Sequence, residues 1–294
     1  MEAVTHSELK SEEILSTPDL LAVGVQGDDV RRRMHGTRTT FLRVFEVHVD
    51  APVSSLPAGV SAGEFRIVGT PRTTAAAVEA ARASVAIAGR TPVAGFSLAD
   101  LCALAPERTA FVALCRQLHD AGLAAVAEAP IDLFIDGEEG RESLLAARQA
   151  GLLVQRLTVH AQPTEGASEN RDRVALVERA KRLQHEVGGF KAFAPLPRLM
   201  SITVPTTGYS DVRQIALARV VVTNIPSIQV DWPLYGPKLA QVALTVGADD
   251  VDGVAAVDPG VLGTRRSPVE EIKNNIRAAA LEPVERDGRF ELMT

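Results

Sequence analysis

The sequence predicts a (β/α)8 TIM-barrel-like fold of the α/β class. Eight short apolar runs begin near residues 41, 64, 85, 123, 153, 191, 227 and 251, and nearly all precede a helical pattern. Strands that alternate with helices of this length indicate parallel βαβ units. Eight such units in 294 residues are typical of a barrel. An open doubly wound sheet is the main alternative, but neither GxGxxG nor GxxxxGK[ST] follows a strand.

The composition fits a single barrel domain over residues 1–294, since 46% of the residues are hydrophobic. We expect a helical lead-in at 1–36, the barrel strands at 37–256, and a final helix and tail at 257–294. The net charge of −6 argues against broad binding to nucleic acid or anionic lipid. The acidic start lacks the apolar core of a signal peptide, and no apolar run approaches a membrane span, so we expect a cytoplasmic protein.

The first half of the chain contributes four of the predicted strands. Period-two alternation in the first strand, TTFLRVFEVHVDAP, places Glu46, His48 and Asp50 on one face. The loop after it, 51–63, is rich in Pro, Ser and Gly and has no helical stripe. Further strands are predicted at 64–69, 85–89 and 123–127, and helices at 8–15, 28–34, 73–83, 97–104, 108–120 and 141–150.

The second half of the chain has the clearest signals for where helices begin and end. Gly188-Gly189 closes a helix, Ser210 is typical of an N-cap, and Gly236-Pro237 opens another helix. Ser267-Pro268 starts the final helix, whose inward face is predicted at Ile272 and Ile276, and Asp287-Gly288 indicates a terminal hairpin. Strands are predicted at 153–162, 191–196 and 227–232 and near 251.

Three side chains, two thiols and one guanidinium, are expected to have structural roles. Cys102 and Cys115 lie in apolar helical surroundings without metal or disulfide spacing, so we expect buried free thiols. Arg219 falls within the apolar arc of its helix, and we expect it to snorkel or to find a carboxylate partner.

Function in a barrel belongs at the C-terminal ends of the strands. Two histidines and several carboxylates at one mouth could ligate a divalent metal or act as acid and base, but such residues also cap strand ends structurally. We therefore predict no defined metal site. The Trp232 side chain could stack on a ligand ring or pack in the core. The catalytic candidates are Glu46, His48, Asp50 and His160, and the ligand-binding candidates are Gln162, Gln229, Asp231, Trp232 and Asp250.

Several segments resemble one known family. RLQHEVGGFKAFAPL, DVRQIALARVVVTNIPSIQVDW and GPKLAQVALTVGADDVDG, at 182–253, look like the C-terminal half of radical S-adenosylmethionine (SAM) enzymes of futalosine-dependent menaquinone synthesis. These are aminofutalosine synthase and dehypoxanthine futalosine cyclase, with FO synthase as a relative. DLLAVGVQGDDVRRRMHG and LCRQLHDAGLAAV are similar to the family's lead-in and fourth-strand approach. The resemblance implies a barrel, a [4Fe–4S] cluster and S-adenosylmethionine.

The chain departs from the family where the cofactor binds. The family carries CxxxCxxC directly after strand one, whereas loop 51–63 contains no cysteine. The family's glycine pair after strand two corresponds to Gly69-Thr70. Its glycine triplet after strand four corresponds to 128–130, with Asp132 in place of the following glutamate, and its strand-five histidine and acid correspond to His160 and Gln162.

The resemblance and the departures together suggest a radical-SAM-like pseudoenzyme that has lost the cluster, S-adenosylmethionine and radical chemistry. Such a protein would bind a nucleoside-like or aromatic ligand at the mouth, or form a homo- or hetero-oligomer with a catalytic relative. The alternative is a repurposed metal-dependent or acid–base enzyme acting on a small metabolite. A chain that still catalyses the family reaction with a cluster donated by a partner is a third hypothesis.

Overall fold

The computed structural model describes residues 10–51, 53–133, 138–161, 169–199, 207–257 and 268–293. The helices are α1 Ser11–Ser16, α2 Leu20–His35, α3 Thr74–Ala88, α4 Leu98–Leu104, α5 Arg108–Asp120, α6 Glu138–Gln149, α7 Glu169–Glu186, α8 Gly208–Val221, α9 Trp232–Leu244 and α10 Pro268–Ala278. The strands are β1 Arg38–His48, β2 Glu64–Val68, β3 Val93–Ser97, β4 Ala125–Pro130, β5 Leu153–Val154, β6 Arg156–Ala161, β7 Ala192–Leu199, β8 Ser227–Asp231, β9 Asp250–Ala255 and β10 Glu282–Arg286.

Eight of the described strands close a parallel barrel, which confirms the predicted fold class. The order is β1-β2-β3-β4-β6-β7-β8-β9, and β9 pairs with β1 to complete the ring. The two-residue β5 pairs with β4 just before β6 begins. The main apolar core lies between the outward faces of the strands and the surrounding helices. In the part of the chain that the structure covers, no helix is long and apolar enough to cross a membrane.

The tail adds a tenth strand at the N-terminal end of the barrel. β10 pairs in parallel with the first half of β1, Arg38–Leu42, whereas β2 pairs with the second half, 44–48. The predicted terminal hairpin is confirmed, because Arg286 bridges to Leu292 and Asp287 N–H donates to Glu291 O at 2.8 Å. Ile272 and Ile276 are both fully buried, as predicted for the final helix.

The third strand is the main error in the predicted elements. Residues 85–89 are not a strand: α3 continues to Ala88, ends at Gly89 (φ 61°), and the strand follows at Val93–Ser97. The run is alanine-rich, and Ala81, Ser84 and Ala88 extend the buried helical stripe. A short apolar run does not distinguish a buried strand from a buried helix by periodicity alone. The lead-in helix α2 is also longer than predicted, because Asp19 accepts from Leu21 N–H and Ala22 N–H and starts it early.

Arg219 has the carboxylate partner that the sequence predicts. Its fully buried guanidinium pairs with Asp249, and its Nε donates to Gly247 O at 3.0 Å. Asp249 Oδ1 also accepts from Ile228 N–H at 2.8 Å. Burial lowers the pKa of Arg219, and the charge of Asp249 opposes that effect. The pair thus ties α8 to the N-terminal ends of β8 and β9.

We predict that Arg219→Met lowers the free energy of unfolding by about 3–5 kcal/mol, because it leaves the Asp249 carboxylate buried without its cation. Chemical denaturation measures the change. The control is Arg82→Met on α3, where the arginine is exposed and a change within about 0.5 kcal/mol is expected. Equal effects of the two substitutions would show that the buried pair contributes nothing.

Candidate functional site

A buried carboxylate, Asp252 on β9, occupies the middle of the barrel. Arg66 on β2 binds it with two hydrogen bonds of 2.9 Å, and Arg156 Nη2 on β6 lies 3.4 Å from its Oδ1. Glu64 accepts from Arg66 Nε at 2.7 Å and lies 3.9 Å from Arg156 Nη2. These strands are not neighbours of β9, so the bonds cross the barrel interior. Two guanidiniums and two carboxylates therefore fill a layer that barrels usually fill with branched apolar residues.

Electrostatic interactions among the four charged side chains of this layer set their protonation states. Burial alone would raise the pKa of Asp252, but the charges of Arg156 and Arg66 hold it well below its usual range. Burial opposes the charge on Arg66, yet Asp252 and Glu64 raise its pKa above the ordinary value. The pKa of Arg156 is lowered, first by burial and then by the nearby charge of Arg66. Asp252 is thus ionised whenever the barrel is folded at neutral pH.

Small side chains on β3 and β4 make room for the arginines. Ala94, Ala125 and Ala127 form a buried group separate from the main apolar core. Ala127 also lines the mouth cavity, and its carbonyl accepts from Arg156 Nη1 at 2.8 Å. Alternation of small and large residues is a usual way to fill a narrow barrel.

A second ionic layer lies nearer the N-terminal end. Asp250 is fully buried and accepts from Arg286 Nε and Nη2, both at 2.7 Å. Gln229 Nε2 donates to Asp250 at 2.6 Å, and Thr40 Oγ1 donates to it at 2.5 Å. The ligand-binding candidates Gln229 and Asp250 are therefore bonded to each other below the mouth.

Arg198 on β7 organises the layer at the mouth. Its Nε lies 2.6 Å from Glu128, its Nη1 donates to Asp231 at 3.2 Å, and its Nη2 is 4.0 Å from Asp252. Asp231 also accepts from Leu234 N–H at 3.0 Å and so caps α9. Burial raises the pKa of Asp231, an effect that Arg198 opposes and the charge of Asp252 reinforces.

A cavity of about 290 Å³ opens above these layers at the C-terminal ends of the strands. The Nε of Arg156 at its floor is a buried donor without a hydrogen-bond partner among the described residues. Thr158 Oγ1, two residues further along β6, is also buried and unpartnered in the described part of the chain. Charged and aromatic side chains on the wall include Glu46, Arg66, Phe96, Arg198 and Asp231.

The backbone around this cavity has unusual conformations. Phe96 has a φ of 64°, a left-handed value that is rare for an aromatic residue and often marks a functional site. Gly253 has a φ of 76°, and a Cβ there would lie 2.8 Å from Pro233 Cδ. Gly69 has a φ of 93° and also lines the cavity.

The structure separates the catalytic candidates. Glu46 lines the cavity, whereas His48 and Asp50 are exposed beyond it, and Asp50 lies 4.0 Å from the exposed Arg72. His160 is the next-to-last residue of β6, and its backbone N–H donates to Asp132 at 2.7 Å. Across the described ranges, no group of three or more His, Cys, Asp or Glu side chains is placed to hold a metal ion.

The remaining candidates have varied surroundings. Asp231 lines the cavity, while Trp232 is half-buried at the start of α9 and packs against the main core. Gln162 lies outside the described residues. The roles proposed for all these residues remain predictions.

Sequence reasoning missed Glu64, Arg66, Arg156 and Asp252 because it considered only strand ends. The signal was available: EFRIV, QRLTV and DVDGV each place a charged side chain inside a strand that helices cover. In a parallel barrel such a side chain has to point inward and be paired there.

Comparison with known proteins relates part of this chain to a family. Residues 190–294 match the family model described as the CofH/MqnC C-terminal region. Aminodeoxyfutalosine synthase of Streptomyces coelicolor is 34% identical over 146 residues, 42% of this chain and 38% of that protein. Cyclic dehypoxanthine futalosine synthase of the same organism is 28% identical over 194 residues, 60% of this chain and 48% of that protein.

The chain is a relative of the radical SAM enzymes of the futalosine pathway. The matches with the curated relatives cited span less than half of their length. Two solved structures have the same fold as this chain. The TM-score is 0.62 to methylornithine synthase (PylB), at 10% identity and 94% coverage of both chains. It is 0.64 to HydG of Carboxydothermus hydrogenoformans, at 10% identity with 97% of this chain and 78% of that one covered.

We predict that Asp252→Asn lowers the free energy of unfolding by about 3–5 kcal/mol near neutral pH, because two guanidiniums lose their anion. Since the pKa of Asp252 is depressed in the folded state, its contribution is complete above the unfolded pKa of about 3.9. It is lost as the pH falls below that value towards the folded pKa.

Denaturation curves across the acid range should therefore show the wild type and the variant converging below about pH 4. Asp120→Asn, at an exposed carboxylate, is the matched control. A stability gap that stays constant down to the lowest pH would contradict the depressed pKa of Asp252.

Proposed function

We propose that this futalosine-pathway relative is a barrel that works without an iron–sulfur cluster and binds a small nucleoside-like ligand at its mouth. The observation that carries the ligand proposal is the buried Nε–H of Arg156 at the floor of the cavity, which has no hydrogen-bond partner among the described residues. Burying a donor without a partner costs about 1–3 kcal/mol of folding free energy. A ligand acceptor that binds this N–H would recover that free energy.

The residues of this chain do not fit the cluster that the family implies. An iron–sulfur cluster is held by cysteine thiolates, and loop 51–63, which follows β1, contains no cysteine. The two cysteines of the chain, Cys102 on α4 and Cys115 on α5, are free and lie on helices outside the barrel. Burial raises the pKa of the Cys115 thiol to about 12, and it also raises that of Cys102. Burial therefore disfavours the thiolate form, which is the form that ligates iron, at both positions.

The charges at the mouth favour a neutral ligand. Three guanidiniums, from Arg66, Arg156 and Arg198, are matched by the carboxylates of Glu64, Glu128 and Asp252, and Glu46 and Asp231 add further acidic groups. An additional anion would meet carboxylates at the rim, whereas hydroxyl and amino groups would find acceptors there. A nucleoside offers such donors together with ring and hydroxyl acceptors for Arg156. Its 5′-phosphate would be disfavoured.

The relatives support the same ligand class. The names of the two Streptomyces coelicolor proteins refer to aminodeoxyfutalosine and cyclic dehypoxanthine futalosine. The cavity of about 290 Å³ is near the lower limit of about 300 Å³ for small-molecule sites. Phe96 on its wall adds an apolar ring surface.

We predict that adenosine or inosine raises the melting temperature saturably, and that adenosine 5′-monophosphate binds at least about tenfold more weakly than adenosine because the rim is acidic. Arg156→Lys keeps the charge but removes the Nε–H, and we expect it to weaken nucleoside binding by about tenfold or more. Calorimetric titration gives the dissociation constants.

Glu46→Ala provides a second variant at an exposed position, in case Arg156→Lys disturbs the ionic layer. Arg82→Gln, at an exposed position on α3 that does not line the mouth cavity, serves as the control and should bind like the wild type. Absence of binding by every nucleoside, or unchanged binding by both mouth variants, would contradict the proposal.

A further inference from the structure

The opposite end of the barrel carries a second cavity. It encloses about 410 Å³ and is bounded by the N-terminal ends of β1, β7 and β8 and by the terminal hairpin. The hairpin docks beneath β2, where Gly288 N–H donates to Gly63 O at 2.9 Å. We call this space the basal cavity, and its lining includes Arg38, Lys191, Arg286, Arg289 and Phe290.

Unpaired cations dominate the basal cavity. Arg38, Lys191 and Arg289 are exposed, and their side chains have no hydrogen bond or ion pair with any described residue. The acidic side chains of the lining are Asp249, which pairs with the buried Arg219, and Glu291. Three free cations therefore face one free carboxylate, which is unusual in a chain with a net charge of −6. Such a local excess attracts anions.

The terminal hairpin is built to hold this arrangement. Asp287 Oδ1 accepts from Arg289 N–H at 2.8 Å and from Glu291 N–H at 2.9 Å, which fixes the turn. Phe290 has a left-handed φ of 65°, and its ring lies 3.9 Å from the Arg286 guanidinium carbon. This places an aromatic surface against the cationic wall. Arg286 is anchored by Asp250, so the wall is rigid.

We infer that the basal cavity binds a small polyvalent oxyanion, with Arg38, Lys191 and Arg289 as the binding side chains. Arginine forks match the geometry of phosphate and carboxylate oxygens, and lysine adds a point charge. A cavity of this size fits a phosphate ester or a small polycarboxylate. The site lies at the end of the barrel away from the mouth, so this inference does not depend on the proposed function.

The test is a thermal-shift and calorimetric titration of the full chain with inorganic phosphate, pyrophosphate and citrate, each compared with chloride at equal ionic strength. We expect saturable stabilisation by pyrophosphate. The triple variant Arg38→Gln, Lys191→Gln, Arg289→Gln should weaken it by about tenfold or more, since three charge-assisted contacts are removed. All three positions are exposed, and each single variant should give a smaller loss.

Arg82→Gln is the matched control for loss of one exposed surface cation, and it should retain wild-type affinity. Binding of phosphate and pyrophosphate alone would assign a phosphate-bearing ligand, whereas equal or tighter binding of citrate would assign a carboxylate. Stabilisation no greater than that by chloride, or an unchanged affinity in the triple variant, would overturn the inference. Adenosine is uncharged and reports on the mouth separately.

Discussion

The barrel depends on one buried ionic contact, the pairing of Asp252 with Arg66 and Arg156. A carboxylate in the middle of a barrel is tolerable only if cations and hydrogen bonds surround it, and here they come from β2 and β6, on opposite sides of β9. The contact therefore fixes the relative positions of three strands. It also requires small residues elsewhere, and Ala94, Ala125 and Ala127 supply that space.

The same ionic core gives the two ends of the barrel different chemistry. Towards the mouth it continues through Arg198 to Glu128 and Asp231, so the cations there are matched and Arg156 keeps a spare donor. Towards the base it continues through Asp250 to Arg286, and the hairpin that carries Arg286 also presents Arg289. One end is thus suited to a neutral, hydrogen-bonding ligand and the other to an anion.

Hydrophobic periodicity was enough to predict the barrel, because covered parallel strands read as apolar runs between helices. It failed at 85–89, where an alanine-rich helix has the same apolar character as a strand. At the site, the strand-end rule found Glu46 and Asp231, which line the mouth. The strand-end rule could not identify Asp252 or Arg156 as site residues. Their partners are far apart in sequence and meet only when the barrel closes. The conformation of Phe96 has no sequence signal at all.

Anaerobic reconstitution with iron and sulfide tests whether this relative of radical SAM enzymes works without their cluster, as we propose. We expect iron and sulfide contents no higher in the wild type than in the double variant Cys102→Ala, Cys115→Ala. We also expect no cluster absorption or paramagnetic signal after reduction. A stoichiometric cluster that binds to the wild type and is lost in the double variant would overturn the proposal, since it would show that the two thiols of the outer helices serve as ligands.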